Sequence, residues 1–284
     1  MSRKVFVFIG DLHGQYSKLQ SLWGHTSRLL AALRSDEPAG GPRDIQANVW
    51  FLGDYCDRGP CTREVLDMLI TLPAQHPEHT FKFLRGNHDH AFEMYLNDAE
   101  ADLSVTCQGY VSHKPNTTLY DGPGWETMHL QGRRWGGTMN GAADSIYQAA
   151  ATFSSYEAPY SSRRELRAAV PSTHSAFLRR YDAWCSLVNI IDEPDTEFGR
   201  IIATHAGLEE QEKEPLEREM DVLRSGSNHL AWLEGICGRQ NVTELPKALR
   251  ESAEPMWLVS GHHGKFSVNG RRIIVDACGG MIAF

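Results

Sequence analysis

The sequence predicts an α/β fold, a β-sheet with helical layers packed on it, and three observations carry that expectation. Short β-branched apolar runs recur along the chain and stop abruptly at glycine or a polar residue. Amphipathic helical spacing separates the first of these runs. The length of 284 residues, with 41% hydrophobic and 23% charged residues, is enough for a buried core of ordinary globular composition.

Taken in order, Val5–Ile9 ends at Gly10, Val49–Leu52 at Gly53, and Phe81–Leu84 shortly before Gly86. Ile201–Thr204 leads into His205 and Trp257–Ser260 into Gly261. Continuous apolar runs of this length are expected as strands covered on both faces. Between the first strands, Tyr16–Leu33 places Leu19, Leu22, Trp23, Leu29, Leu30 and Leu33 at helical intervals. Thr62–Leu72 does the same with Val65, Leu66, Leu69 and Ile70. Phe266–Val268, Asn269-Gly270 and Arg271–Val275 spell a hairpin with a two-residue turn. From about Asp89 to Arg200 the strand pattern fades, and helical patches are expected at Ser145–Thr152 and Arg163–Ala169. Residues 90–200 are therefore read as a largely helical and loop insertion over the active edge of one domain spanning 1–284.

Each strand end carries residues able to hold a metal. They are Asp11 and His13, then Asp54 and Asp57, then Asn87-His88-Asp89, then His205, then His262-His263. In open α/β sheets the carboxyl ends of strands are where ligands bind, so the order of the chain brings these clusters to one edge. Any one alone is more simply a polar turn, a helix N-cap or a satisfied histidine. Five glycine-flanked clusters together are not. Mixed His, Asp and Asn donors suit manganese, iron or zinc better than calcium or magnesium. A pair of ions about 3.5–4 Å apart needs a bridging carboxylate, and Asp54 is the natural bridge.

The remaining totals exclude rather than assign. A net charge of −8 argues against a nucleic-acid binder. Five apolar residues after Met1-Ser2-Arg3-Lys4 are too few for a secretion signal or membrane span. The six cysteines have no zinc-type spacing, and none is followed six positions later by arginine, so a thiol-based phosphatase mechanism is not expected. A cytoplasmic, reducing location without membrane association is the expectation.

With these residues in view, the chain resembles the calcineurin-like metallophosphoesterases. Gly53-Asp54-Tyr55-Cys56-Asp57-Arg58-Gly59 is similar to the phosphoprotein phosphatase branch. The resemblance implies a central β-sandwich flanked by helices, with two divalent metal ions between its loops. It further implies that Asp11, His13 and Asp54 hold one ion, and Asp54, Asn87, His205 and His262 the other. His88 is implied as the general acid, Asp57 as the carboxylate that orients it, and Arg58 with Asn87 as phosphate-binding groups. Attack by a metal-bridging hydroxide follows from the same resemblance. A carboxylate beside His88 is expected to keep it protonated to higher pH. A second phosphate-binding arginine is implied between the fourth and fifth clusters, with Arg239 as the candidate and Arg224 behind it.

Two departures set the chain apart from the Ser/Thr-specific members: Asp89 stands where they have glutamate, and His205-Ala206-Gly207 replaces His-Gly-Gly. The segments at 53–60, 129–135, 145–156 and 260–265 resemble the Rhizobiales-like phosphatases of plants and algae, which implies a preference for phosphotyrosine in proteins. Such relatives continue beyond a Gly279-Gly280 pair into a last strand, whereas this chain stops at Phe284. Phosphoserine and phosphothreonine, or a dinucleoside polyphosphate, are the alternative substrates. Between Gln131 and Arg180 lie seven arginines (133, 134, 163, 164, 167, 179, 180) against three acids. Arg133 and Arg134 are the candidates there for recognising an acidic or second phosphorylated residue. Tyr110, Tyr120, Trp125, Trp135 and Tyr156 are either core or the lining of a pocket for a phosphotyrosyl ring.

Overall fold

Strands β1 (Arg3–Ile9), β2 (Ile45–Phe51), β3 (Thr80–Leu84) and β4 (Cys185–Ser186) form a parallel sheet in that spatial order. This is a computed structural model, describing residues 3–35, 45–97, 135–136, 145–179, 185–186, 188–193, 198–209, 234–239 and 242–276. A second sheet has the order β5 (Val188–Glu193), β6 (Gly199–Thr204), β7 (Met256–Ser260), β9 (Arg272–Val275) and β8 (Phe266–Asn269). Its inner pairs β6–β7 and β7–β9 are parallel, and its outer pairs are antiparallel.

The two sheets face each other, and the pleat explains the unbroken apolar runs. Phe8, Trp50, Leu52 and Leu84 pack against Ile201, Ala203, Val259, Ile273 and Val275 between the sheets. Their neighbours Val7, Ile9, Val49, Phe51 and Phe83 belong instead to the core beneath the helices. Successive side chains point to opposite faces, so a strand covered on both faces must be apolar throughout. Fully burying a side chain of this size contributes about 1.5–3 kcal/mol relative to leaving it exposed.

Helix α1 (Tyr16–Ser35) buries Leu19, Trp23, Thr26 and Leu30, a stripe at three- and four-residue intervals, and leaves Leu29 exposed. Helix α2 (Thr62–Gln75) buries Thr62, Val65, Leu66, Leu69 and Leu72. The hairpin forms with one shift. Asn269 pairs with Arg272, so the turn is Gly270-Arg271 and not Asn269-Gly270. Gly270 takes the positive φ of 55° that the turn demands.

Helix α3 (Asn87–Asn97) starts directly at the third cluster. The patch expected at Ser145–Thr152 is a turn followed by helix α4 (Ala150–Ser155), because Gln148 adopts a left-handed φ of 55° and ends any helix before it. Helix α5 (Arg163–Ala169) has the expected bounds, and α6 (Ser172–Leu178) follows. Helices α4 and α6 pack on α2, and α5 and α6 pack on α3. Strands β4 and β5 also fall within residues 90–200 and join the two sheets. Two short helices, α7 (Glu234–Cys237) and α8 (Lys247–Arg250), precede β7. Among the described residues no helix is long and apolar enough to cross a membrane.

Candidate active site

The strand ends converge through tight backbone approach. Gly53 has a φ of 104°, and a Cβ there would lie 2.5 Å from the Gly86 nitrogen. A Cβ on Gly86 would run into Asp54 Oδ1 and its backbone nitrogen. Only glycine fits both. Among the described residues, eight non-glycine positions have positive φ. Six of them, His13, Asp54, Asp57, Arg58, Gln148 and His262, surround this one site. Such backbone costs about 1–3 kcal/mol per residue and persists only where neighbours impose it.

Asp54 divides the donors into two groups. Its Oδ2 lies 3.7 Å from His13 Nε2, which is also 3.7 Å from Asp11 Oδ2. Its Oδ1 lies 3.3 Å from His205 Nε2, which is 3.3 Å from Asn87 Oδ1 and 3.1 Å from His262 Nδ1. Two histidines are oriented by backbone carbonyls: His13 Nδ1 donates to Cys56 O at 3.0 Å, and His205 Nδ1 to Leu52 O at 2.6 Å. This turns the Nε2 of each toward Asp54, the side on which an ion would bind. The His262 amide donates to Asp11 Oδ1 at 3.0 Å, tying the first and fifth loops. The neighbouring His263 instead donates Nε2–H to Ala206 O at 2.7 Å, and burial holds it down at about 4.

This donor set fits divalent ions. His13, Asp54 and His88 offer ligand atoms within 4.8 Å of one another, as do Asp54, His205 and His262. His13 Nε2 and His262 Nε2 are buried without a hydrogen-bond partner, an unfavourable state unless something else coordinates them. Burial works to raise the Asp54 carboxyl, yet the charges of His205, His88 and His13 hold it well below its usual range. Burial works to lower His205, yet Asp54 lifts it to about 10.

Next to this centre, His88 Nδ1 donates to Asp57 Oδ2 at 2.7 Å. Its Nε2 lies 3.3 Å from Arg58 Nη2, an exposed guanidinium. Burial lowers the His88 imidazole below its ordinary value, and the attractions of Asp54 and Asp57 do not make up the difference. The sequence expectation had the opposite sign, because it counted the carboxylate and not the desolvation. Trp135 Nε1 donates to Asp57 Oδ2 at 2.8 Å, and Thr152 Oγ1 donates to Asp57 Oδ1 at 2.7 Å.

Other expectations find their places here. Asp89 is buried and accepts from the backbone N–H of Asp54 (2.7 Å), Tyr55 (2.7 Å) and Gly86 (2.9 Å), clamping the second loop to the third. Burial and the charge of Asp54 raise its carboxyl to about 6. Cys56 is buried, and burial with the charges of Asp57, Asp89 and Asp54 pushes its thiol well up, the reverse of what a thiolate nucleophile requires. Arg239 is exposed and donates Nη1–H to His262 O at 2.6 Å, which places it at the rim of the centre. Trp135 and Tyr156 are buried core, stacked or tilted against Phe92, and do not line an open pocket. Arg133, Arg134, Arg224, Tyr110, Tyr120 and Trp125 lie outside the described residues.

Tyr147 was not anticipated at the site. Its ring meets His88 edge-on at 4.7 Å, and its hydroxyl meets the Asn87 side chain. No local spacing signals it, since the residues it joins lie about 60 positions earlier.

Facing sheets with carboxylate, imidazole and amide donors gathered at their loops, beside the hydrogen-bonded His88–Asp57 pair and Arg58, define a metallophosphoesterase. The chain belongs to the calcineurin-like phosphoesterase family, whose pattern it matches over residues 4–149. Over 80 residues, 28% of this chain, it is 39% identical to the Serine/threonine-protein phosphatase SIT4 of Candida albicans, of which the match covers 22%. Over 81 residues it is 36% identical to the Serine/threonine-protein phosphatase PP2A-like PPG1 of the same organism, covering 16% of it. The matches thus span about a fifth of those relatives' length. Among solved structures, a cold-active protein tyrosine phosphatase aligns with all of this chain and 75% of its own, at 16% identity and a TM-score of 0.46. A serine/threonine phosphatase from Saccharomyces cerevisiae aligns with 97% of this chain and 70% of its own, at 14% identity and a TM-score of 0.45.

Proposed function

We propose that this single domain is a two-metal phosphatase of phosphorylated proteins, with phosphotyrosine as its preferred monoester. The observation that carries the reading is Asp54, whose two oxygens face separate donor groups while the His88–Asp57 pair and Arg58 stand beside both. Asp11, His13 and Asp54 hold one ion, and Asp54, Asn87, His205 and His262 the other. Manganese, iron or zinc bound there supplies Lewis-acid chemistry, polarising the phosphoryl group and making water acidic enough to attack it. Arg58 binds the phosphoryl oxygens through its planar fork, with Asn87 and Arg239 at the sides. Once a second proton has made it an imidazolium, with Nε2 turned from Arg58 to the substrate, His88 passes the Nε2 proton to the departing oxygen as the ester bond breaks. Asp57 holds Nδ1–H and stabilises the charged ring beforehand.

Phosphotyrosine is favoured by the resemblance of the segments at 53–60, 145–156 and 260–265, together with Asp89 and Ala206 at the two departures. The Ser/Thr phosphatase names of the partial relatives favour phosphoserine or phosphothreonine as the second reading. A panel of phosphopeptides and a dinucleoside polyphosphate, assayed after manganese reconstitution, separates these. Faster turnover of phosphotyrosyl peptides supports the first reading, and faster turnover of phosphoseryl peptides or of the dinucleotide replaces it. Arg133 and Arg134 are proposed to contact an acidic or second phosphorylated residue. Replacing both with alanine then weakens doubly phosphorylated peptides more than singly phosphorylated ones, and an equal effect on both removes that role.

A further inference from the structure

We propose that Trp135 and Thr152 are positioning residues for proton donation, clasping the Asp57 carboxylate so that His88 can act only in one orientation. This rests on the acid role assigned above to the His88–Asp57 pair. Asp57 is fully buried, and among the described residues three side-chain donors reach its carboxylate at close range. Oδ1 accepts from the Thr152 hydroxyl at 2.7 Å. Oδ2 accepts from Trp135 Nε1–H at 2.8 Å and from His88 Nδ1–H at 2.7 Å.

The proton directions along this chain are determined. The one Thr152 hydroxyl proton goes to Asp57, so the hydroxyl oxygen accepts from the Asp57 backbone N–H at 2.9 Å and from Thr62 Oγ1–H at 3.1 Å. Three donors around a carboxylate favour its ionised, acceptor-only form, and that form requires the His88 proton on Nδ1. A backbone–side-chain clasp on both ends of Asp57 also offsets its left-handed φ of 69°. Trp135 cannot turn away, because it is stacked on Phe92 (4.7 Å, 22° between rings) and on Phe153 (5.3 Å, 26°). Phe153 is the residue after Thr152, so one aromatic stack seats both donors.

A purely structural role would also explain buried donors on a buried acid, and leaving-group dependence tells the two apart. Full-length Trp135→Phe and Thr152→Val, reconstituted with manganese, are assayed on phenyl phosphate and on p-nitrophenyl phosphate, whose leaving oxygen needs little protonation. On phenyl phosphate kcat is expected to fall about 10- to 100-fold, a share of the roughly 10²–10⁴ that general acid catalysis supplies. On the activated ester the fall is expected to be less than about threefold. KM and bound metal should stay as in the parent, and Thr152→Ser should restore phenyl phosphate turnover. His88→Asn serves as the reference. If it slows both esters equally, the acid role itself fails. If it shows the leaving-group signature while both clasp variants slow the two esters equally, slow neither, or lose metal, the positioning proposal is overturned. Using both variants keeps the test open should one of them misfold.

Discussion

At the strand ends, functional side chains are placed by backbone: positive φ, glycine contacts and carbonyls that pin imidazoles. In the described part of 135–179 they are placed by packing. Trp135, Phe153, Tyr156 and Phe177 form a continuous buried cluster with the helix-side core. The first region holds the groups that could bind metal, and the second reaches in with Trp135, Tyr147 and Thr152 to the His88–Asp57 pair beside them. The proposed metal ligands therefore depend on local geometry, whereas the proposed acid His88 depends on how a distant segment docks.

Asp54→Asn breaks the first region most directly. It removes the charge that both donor groups share, so metal content measured by plasma mass spectrometry should fall and kcat should drop by about 10³-fold or more. Retention of two ions would remove Asp54 from its bridging position.

Phe153→Ala tests the second region. Cutting a buried aromatic costs about 3–5 kcal/mol, read as a lower urea midpoint. The folded fraction should still bind metal while losing turnover of poor leaving groups. Loss of metal affinity in step with stability would show that the two regions are one unit.

Asp89→Ala returns to the strand ends with a smaller effect. It leaves three buried backbone N–H groups without their acceptor, an expected loss of about 3 kcal/mol. Metal affinity should weaken with it, since these groups hold Asp54 against Gly86. An unchanged affinity would mean the clamp serves the fold alone.

The smallest effect concerns the chain Asp67–His174–Tyr156, which ties α2 to α6 and α4. His174 Nε2 and Nδ1 lie 2.8 Å from Asp67 Oδ1 and Tyr156 Oη respectively. Burial keeps His174 below its ordinary 6.5 despite the pull of Asp67. The unfolded chain then takes up the proton first, so this part of the stability is complete above pH 6.5 and declines as pH falls toward the folded value. His174→Asn should flatten that portion of the stability–pH curve. A slope equal to the parent's would assign the titration elsewhere.

The sequence by itself determined the sheet-and-helix architecture and the donor-bearing strand ends. Those signals are local: unbroken apolar runs, helical stripes, and glycine next to a ligand type. Its errors in placing elements were also local in origin. The hairpin turn moved by one residue because Asn269 pairs with Arg272, and α4 began late because Gln148 left the helical region. Only the tertiary structure decided which histidine of His262-His263 joins the donors, and that burial outweighs a carboxylate at His88. It alone revealed that Asp57 is held by residues 78 and 95 positions away. Periodicity cannot encode such partners, because hydrogen bonds between distant segments exist only once the chain has folded around them.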